Sequence, residues 1–294
     1  MKFKSRRFTL LDAGLLVLLA GAVVWTAYRV HTQLQYHWEW KVIFQYLVRF
    51  DQVSGSWRPN LLLEGLFTTI RLSVWATLLA TCLGAVMGLC RVSQDLFLRL
   101  ISRAYVESVR NLPPLVLIFI FYYFFGDQIM PWLQVEALLL ARSEGVQNVA
   151  WFLLGPADGF SAFASAVITL AVYEGAYITE MFRSGIESIE KGQWEASYAL
   201  GLGRWQQMRH VILPQVVQRI IPPLAGQFIS TIKDSAIVSV ISIQELTFQG
   251  LQLMATTYLR FEVWITVTVL YLVLTLGCSL AARRVELIMS RSRS

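Results

Sequence analysis

Four ionisable side chains sit inside stretches that are otherwise apolar: Arg71, Glu174, Lys233 and Asp234. A charge at mid-helix in a bilayer costs about 2.5–3.5 kcal/mol on insertion scales, so each of the four needs a reason to be there. Gln227, Ser230, Thr231 and Asp234 recur at intervals of three and four, the spacing of one helical face, and that polar stripe is predicted to look into a cavity. Lys233 is turned by about 100° from Asp234 on a helix, so the two neighbours cannot satisfy each other well and Glu174 is the expected partner of Lys233. Binding of a charged solute and ion pairing between helices are both consistent with these residue types. Arg71 lies near the outer end of its stretch, where its long side chain can reach the headgroups.

Covalent chemistry has no visible machinery. The sequence contains no phosphate-binding GxxxxGK[ST] loop, no HExxH and no GxSxG. Cys82, Cys90 and Cys278 fall in or at the ends of apolar stretches without the spacing of metal ligands, and His31, His37 and His210 are divided between the two sides of the membrane by the topology below. The chain is predicted to move something rather than to transform it, and no metal site is expected.

The elements that carry these residues follow from composition. Of 294 residues 56% are apolar and only 15% charged, with a mean hydropathy of +0.54, more apolar surface than a soluble core of this length can hide. About 20 apolar residues cross a bilayer as a helix, and six such segments are predicted, over 9–28, 62–90, 115–125, 161–182, 220–243 and 261–282. The third is short, with Pro113 and Pro114 suited to its first turn. The runs are too long for barrel strands, so an all-α membrane bundle is expected. With a cytoplasmic amino terminus, the inside segments hold seventeen lysines and arginines and the outside ones six, so both termini are placed in the cytoplasm. This asymmetry accounts for the net charge of +6 without any nucleic-acid partner. MKFKSRR followed by Ala20-Gly-Ala22 also fits a cleaved export signal, but the apolar run continues through Val23, Val24 and Trp25, which favours a retained span.

Between the fourth and fifth segments stands EASYALGLGRWQQMRHVILPQ, 195–215. Residues 193–200 are predicted to form a short helix ended by Gly201 and Gly203. Trp205, Met208 and Ile212 recur at helical spacing as the apolar stripe of a second short helix, which Pro214 is expected to end. Ala196, Ala199 and Gly201 are small enough to let another protein approach closely. The unit reads as a rigid docking knob facing the cytoplasm.

Glu195-Ala196, Ala199, Gly201 and Ile212-Leu213-Pro214 resemble the cytoplasmic E-A-A loop of ABC importer permeases, with Ser197 in place of the second alanine and ten residues between Gly201 and Ile212. GAYITEMFRSGIESIEKGQWEA, IPPLAGQFISTIKDSAIVSVI, RAYVESVRNLPPLVLIFIFYYF and FEVWITVTVLYLVLTL are similar to the polar amino-acid uptake branch of that family, the histidine, glutamine and glutamate type. The resemblance covers 62 to the end. It implies a type I importer permease bundle of about six transmembrane helices. Residues 1–28 form an additional amino-terminal helix, 29–61 a periplasmic loop, and 62–290 the permease core with a periplasmic insert at 127–160. In such a permease the knob, here Glu195, Ala196, Ala199, Gly201, Gly203, Trp205, Ile212 and Pro214, docks on a separate ATPase. The implied assembly has two ATPase copies that bind ATP and magnesium, a second permease subunit, identical or related, and a periplasmic binding protein. The whole sits in a bacterial inner membrane, and this chain itself is expected to bind no cofactor and to catalyse nothing. An amino acid brings both an ammonium and a carboxylate, and Glu174, Gln227, Thr231, Lys233 and Asp234 are the residues expected to line its path.

Ala80, Gly84 and Gly88 recur every fourth residue and predict close helix packing, within the chain rather than between chains. Tyr122, Tyr123, Trp132 and Trp151 have the character of interfacial aromatics, and 138–154 is consistent with a short surface helix. An ion-driven carrier is the rival reading; it predicts paired, similar halves with broken helices, which the sequence does not display. A membrane-embedded enzyme is the third reading, and it lacks a nucleophile and base.

Overall fold

The computed structural model describes residues 10–33, 36–52, 55–129, 153 and 160–291. The chain divides into two units, 1–40 and 41–294. The first contains α1 (Leu10–Gln33), whose apolar window runs from Leu10 to Thr26. Trp132, Trp151 and nearly all of the expected insert, including the helix over 138–154, lie outside the described residues.

In the second unit, α2 (Trp40–Leu47) leads into an antiparallel hairpin of β1 (Val48–Asp51) and β2 (Ser56–Pro59), in register Phe50 to Trp57. Asp51 and Arg58 close this hairpin with an ion pair of 3.1 Å. The stretch expected as a plain loop therefore has structure of its own. Then come α3 (Leu61–Arg91), α4 (Leu96–Asn111) and α5 (Pro114–Phe121), the last widening into π-helical turns over Tyr122–Ile129. The long α6 (Phe160–Glu187) is followed by the short α7 (Lys191–Ala199). A single turn, α8 (Arg204–Gln206), passes through π-helical turns over Gln207–Ile212 into α9 (Leu213–Asp234), which tightens to 3-10 geometry over Ser235–Ile241. The chain ends with α10 (Leu246–Thr257) and α11 (Arg260–Arg291).

Among the described residues four helices are long and apolar enough to cross a membrane: Leu61–Arg91, Phe160–Glu187, Arg204–Ile241 and Arg260–Ile288. A fifth crossing arises if α4 and α5, bent by 112° at their junction, count as one broken span. The expected third segment, 115–125, is helical, and α4 before it is the part that the apolar run did not reveal. Asp95 caps α4 by accepting from the Phe97 and Leu98 amides at 2.8 and 3.2 Å, and Ser102, Val106 and Val109 supply its buried stripe. Proline restricts the residue before it to extended backbone, so α4 stops short of Pro113 and α5 starts at Pro114, where a missing N–H costs nothing.

The fifth segment is corrected. Pro222 and Pro223, near the start expected at 220, lie inside α9, and Pro214 does not end a helix but occupies the first turn of α9. Proline is tolerated there because the preceding π-helical turns have already displaced the regular acceptors.

The core forms where α3 lies along α6. Leu62, Gly65, Thr69, Leu72, Ala76, Ala80, Gly84 and Gly88 are the buried face of α3, at steps of three and four. A Cβ on Gly84 would stand 2.6 Å from Ile178 Cγ2, and one on Gly88 2.5 Å from Phe182 Cβ, so the small-residue stripe brings the two helices together within this chain. Ile178, Phe182, Ile186, Ile212, Val216 and Ile220 then join α6 to α9. By contrast α11 buries little: Leu272, Val273, Leu276 and Leu280 are exposed apolar side chains suited to lipid.

Candidate functional site

Glu174 is fully buried on α6, and Gln227 of α9 donates from Nε2 to its Oε2. Thr231, one turn further along α9, donates to the Gln227 carbonyl at 3.0 Å, and the Asp234 carboxyl, nearly one turn beyond, also interacts with Glu174. Of the predicted stripe of Gln227, Ser230, Thr231 and Asp234, the first, third and fourth thus meet Glu174 on α6. Glu174 Oε1 is buried and makes no hydrogen bond among the described residues, so the cluster retains an unused acceptor.

The predicted meeting of Glu174 with Lys233 does not occur. Lys233 is exposed, and among the described residues it forms no ion pair with Glu174. The helical turn that brings Asp234 onto α6 carries Lys233 round to the outside. Two carboxyl groups and an amide converge here, where an acid and a base were expected. The cluster offers acceptors to a cationic group rather than a matched pair to a zwitterion.

From this point a polar stripe runs along α6 at steps of three and four: Tyr173, Tyr177, Glu180, Ser184 and Glu187. Tyr173 and Tyr177 approach to 3.2 Å through their hydroxyls, and the Arg110 guanidinium of α4 lies 5.1 Å over the Tyr177 ring. Arg110, Tyr177, Glu180, Met181, Arg183 and Ser184 line an open cavity of about 300 Å³. Sequence reasoning missed this stripe because its tyrosines pass as apolar; their 3–4 spacing with Glu180 was the available signal.

A second buried carboxylate was also missed. Glu245 caps α10, accepting from the Phe248 amide at 2.7 Å, the Thr247 amide at 2.9 Å and the Tyr271 hydroxyl at 2.8 Å, while Thr69 of α3 approaches at 3.4 Å. This network fastens α10 between α3 and α11. Glu245 escaped notice because it follows the apolar run instead of interrupting it.

The loop forms a helix, turn, helix unit, as predicted. Gly201 adopts φ +75°, and the Gly201 and Leu202 amides donate to the carbonyls of Tyr198 and Ser197 at 2.9 and 3.3 Å, the paired bonds of a Schellman cap. Gly203 caps the next turn instead of ending α7: its amide donates to Gln206 Oε1 at 2.9 Å and its carbonyl accepts from the Gln207 amide at 2.9 Å. Two further ties fix the unit to the bundle. Gln215 Nε2 donates to Gln193 Oε1 at 3.2 Å, and Arg219 donates to the carbonyl and hydroxyl of Ser188 at 2.5 and 2.9 Å.

Glu195, Ala196, Ala199, Gly201, Gly203, Trp205 and Pro214 are all exposed, as docking requires. Ile212 is not: it is fully buried between α6 and α9 and belongs to the core. The π-helical turns change the phase between Trp205 and Ile212, so residues expected on one stripe point in opposite directions. Tyr198 and Leu200, which sequence reasoning passed over, are 77% and 79% exposed and Trp205 is 66% exposed, three large apolar side chains around one turn that water alone does not explain.

Comparison with known proteins agrees with this architecture. Residues 80–291 match the family described as binding-protein-dependent transport system inner membrane component. The glutamine transport system permease protein GlnP of Escherichia coli (strain K12) is 33% identical over 240 residues, covering 81% of this chain and 97% of that protein. The probable glutamine ABC transporter permease protein GlnM of Bacillus subtilis (strain 168) is 32% identical over 227 residues, covering 77% and 92%. A solved structure described as an amino acid ABC transporter with histidines matches with a TM-score of 0.63 at 27% identity, over 85% of this chain and 99% of that one. With the family match spanning most of the bundle and both the loop and the buried stripe inside it, this chain belongs to the binding-protein-dependent transport system inner membrane components, the permeases of ABC importers.

Proposed function

We propose that this chain forms the translocation path for a polar amino acid and is driven by ATPase subunits gripping the exposed loop. The observation that carries the reading is one continuous helical run, Arg204–Ile241, with the docking surface at its start and Gln227, Thr231 and Asp234 further along it. Force applied at Trp205 passes through π-helical turns and a proline-containing helix to the polar stripe without an intervening flexible loop. Rigid-body alternating access requires a connection of this kind.

The amino-acid substrate is supported by the relatives, two of which carry glutamine in their names, and by the carboxyl cluster, which suits the ammonium group common to all amino acids. Arg110, over Tyr177 on the same face of α6, is placed to receive the carboxylate. Lys233, exposed on the far side of α9, has no part in this path. ATP and magnesium belong on two partner ATPases, and this chain performs no hydrolysis. A periplasmic binding protein delivers the substrate, a second permease subunit completes the path, and both termini face the cytoplasm of a bacterium's inner membrane.

Cysteine placed at Trp205 or Ala199 tests the docking. Cross-linking in native vesicles is expected to capture a nucleotide-hydrolysing polypeptide at both positions. Capture at neither, with uptake sustained by an ion gradient alone, overturns the reading in favour of a carrier.

A further inference from the structure

At the loop end of the bundle a cavity of about 460 Å³ is lined by Arg91 of α3, Arg99 and Arg103 of α4, and Arg183 and Glu187 of α6, with Leu96 and Leu100 on its α4 side. Four guanidiniums and one carboxylate face the same space. Arg103 is held by Glu107 at 2.6 Å, and Arg183 by Glu180 and Glu187 at 2.7 and 2.5 Å. The other two are poorly matched. Among the described residues, Arg91 reaches Glu180 only at 3.5 Å and leaves Nη1 without a hydrogen bond, and Arg99 forms no ion pair.

Along the same helix, α4 also exposes apolar side chains. Phe97, Leu100 and Ile101 are 69%, 52% and 41% exposed, so apolar and cationic groups alternate along one helix at the end of two membrane-spanning ones. Solvent accounts for the arginines but not for the phenylalanine, and a second apolar helix accounts for the phenylalanine but not for Arg99. A membrane interface accounts for both, with acyl chain along the leucines and headgroup phosphate among the guanidiniums. We propose that this cavity binds the phosphate of an anionic phospholipid headgroup, which ties α4 to the ends of α3 and α6. Resting on the reading of α3 and α6 as membrane spans, it shares Arg183 and Glu187 with the cytoplasmic end of the polar stripe on α6, and it uses neither the carboxyl cluster, Arg110 and Tyr177 nor the docking surface.

The test is lipid retention by the assembled transporter, purified with its partners into phosphatidylcholine nanodiscs doped with phosphatidylglycerol and read by native mass spectrometry. Wild type is expected to retain phosphatidylglycerol over phosphatidylcholine. Arg99→Gln and Arg103→Gln each lower that retention about fivefold, the effect of one guanidinium near an anionic surface. Arg99→Lys keeps most of it, Arg209→Gln on the loop leaves it unchanged, and millimolar inorganic phosphate does not displace the lipid. Equal retention in Arg99→Gln and Arg103→Gln, equal binding of phosphatidylcholine, or full displacement by inorganic phosphate overturns the proposal. So does a loss of co-purified subunits in Arg99→Gln with lipid retention intact, which assigns the face to a protein contact. ATP-driven uptake measured on the same preparations separates failure of this inference from failure of the transport reading, since lipid retention needs no turnover.

Discussion

At the scale of single residues, the charges picked from the apolar stretches of the sequence divide by geometry. Gln227 and Asp234 both meet Glu174, whereas Lys233 is outside. Glu174→Gln and Asp234→Asn are each expected to reduce substrate-stimulated uptake about tenfold or more, the loss of a charge-assisted contact, while Lys233→Gln changes it by less than about twofold. Initial uptake rates at matched expression check this, and an intact rate in Asp234→Asn removes that residue from the path. The sequence made the stripe legible because the 3.6-residue period fixes which side chains share a face. It left Lys233 misassigned because a period says nothing about which of two neighbouring faces meets the next helix. Gly84 carries a second prediction. Its Cβ position lies within 2.8 Å of two Ile178 atoms, so Gly84→Leu is expected to cost about 1–3 kcal/mol or to abolish assembly. Gly192→Ala, with no atom within 4 Å, is neutral, and thermal unfolding in detergent compares the two.

At the scale of elements, the long apolar spans were readable to within a residue or two where a run was uninterrupted, as in α3. They were misread where polar or proline residues broke the run. The arginines of α4 and the prolines of α9 hid helices that tertiary packing maintains, since Ser102, Val106 and Val109 are buried and Ile212, Val216 and Ile220 lie on α6. The loop was legible because its glycine does a specific job. At φ +75° Gly201 holds a backbone that alanine adopts only at a cost of about 1–2 kcal/mol, so Gly201→Ala is expected to loosen the turn and lower coupled transport. Docking itself is expected to depend on Tyr198, Leu200 and Trp205. Trp205→Ala weakens association with the ATPase by about tenfold or more, as loss of a buried aromatic anchor does, without altering the fold of an exposed position. Co-purification yield against wild type is the measurement, and unchanged yield in a Tyr198→Ala, Trp205→Ala double variant contradicts the assignment.

At the scale of the whole molecule, three features fit one machine. The α3 and α6 pair is packed too tightly at Gly84 and Gly88 to slide, α11 offers its exposed aliphatic face to lipid, and the helix beginning at Arg204 connects the loop to the carboxyl cluster. An importer permease needs a rigid body, a bilayer surface and a lever, and no catalytic group is required of it. The most direct measurement of this account is ATP hydrolysis by the reconstituted assembly of this chain, its ATPase and its binding protein, across a panel of amino acids. Hydrolysis is expected to rise when the binding protein carries a polar amino acid and to lose that response when Trp205 is replaced by alanine. Hydrolysis that ignores every loaded binding protein, with uptake proceeding on an ion gradient in the absence of ATP, contradicts it.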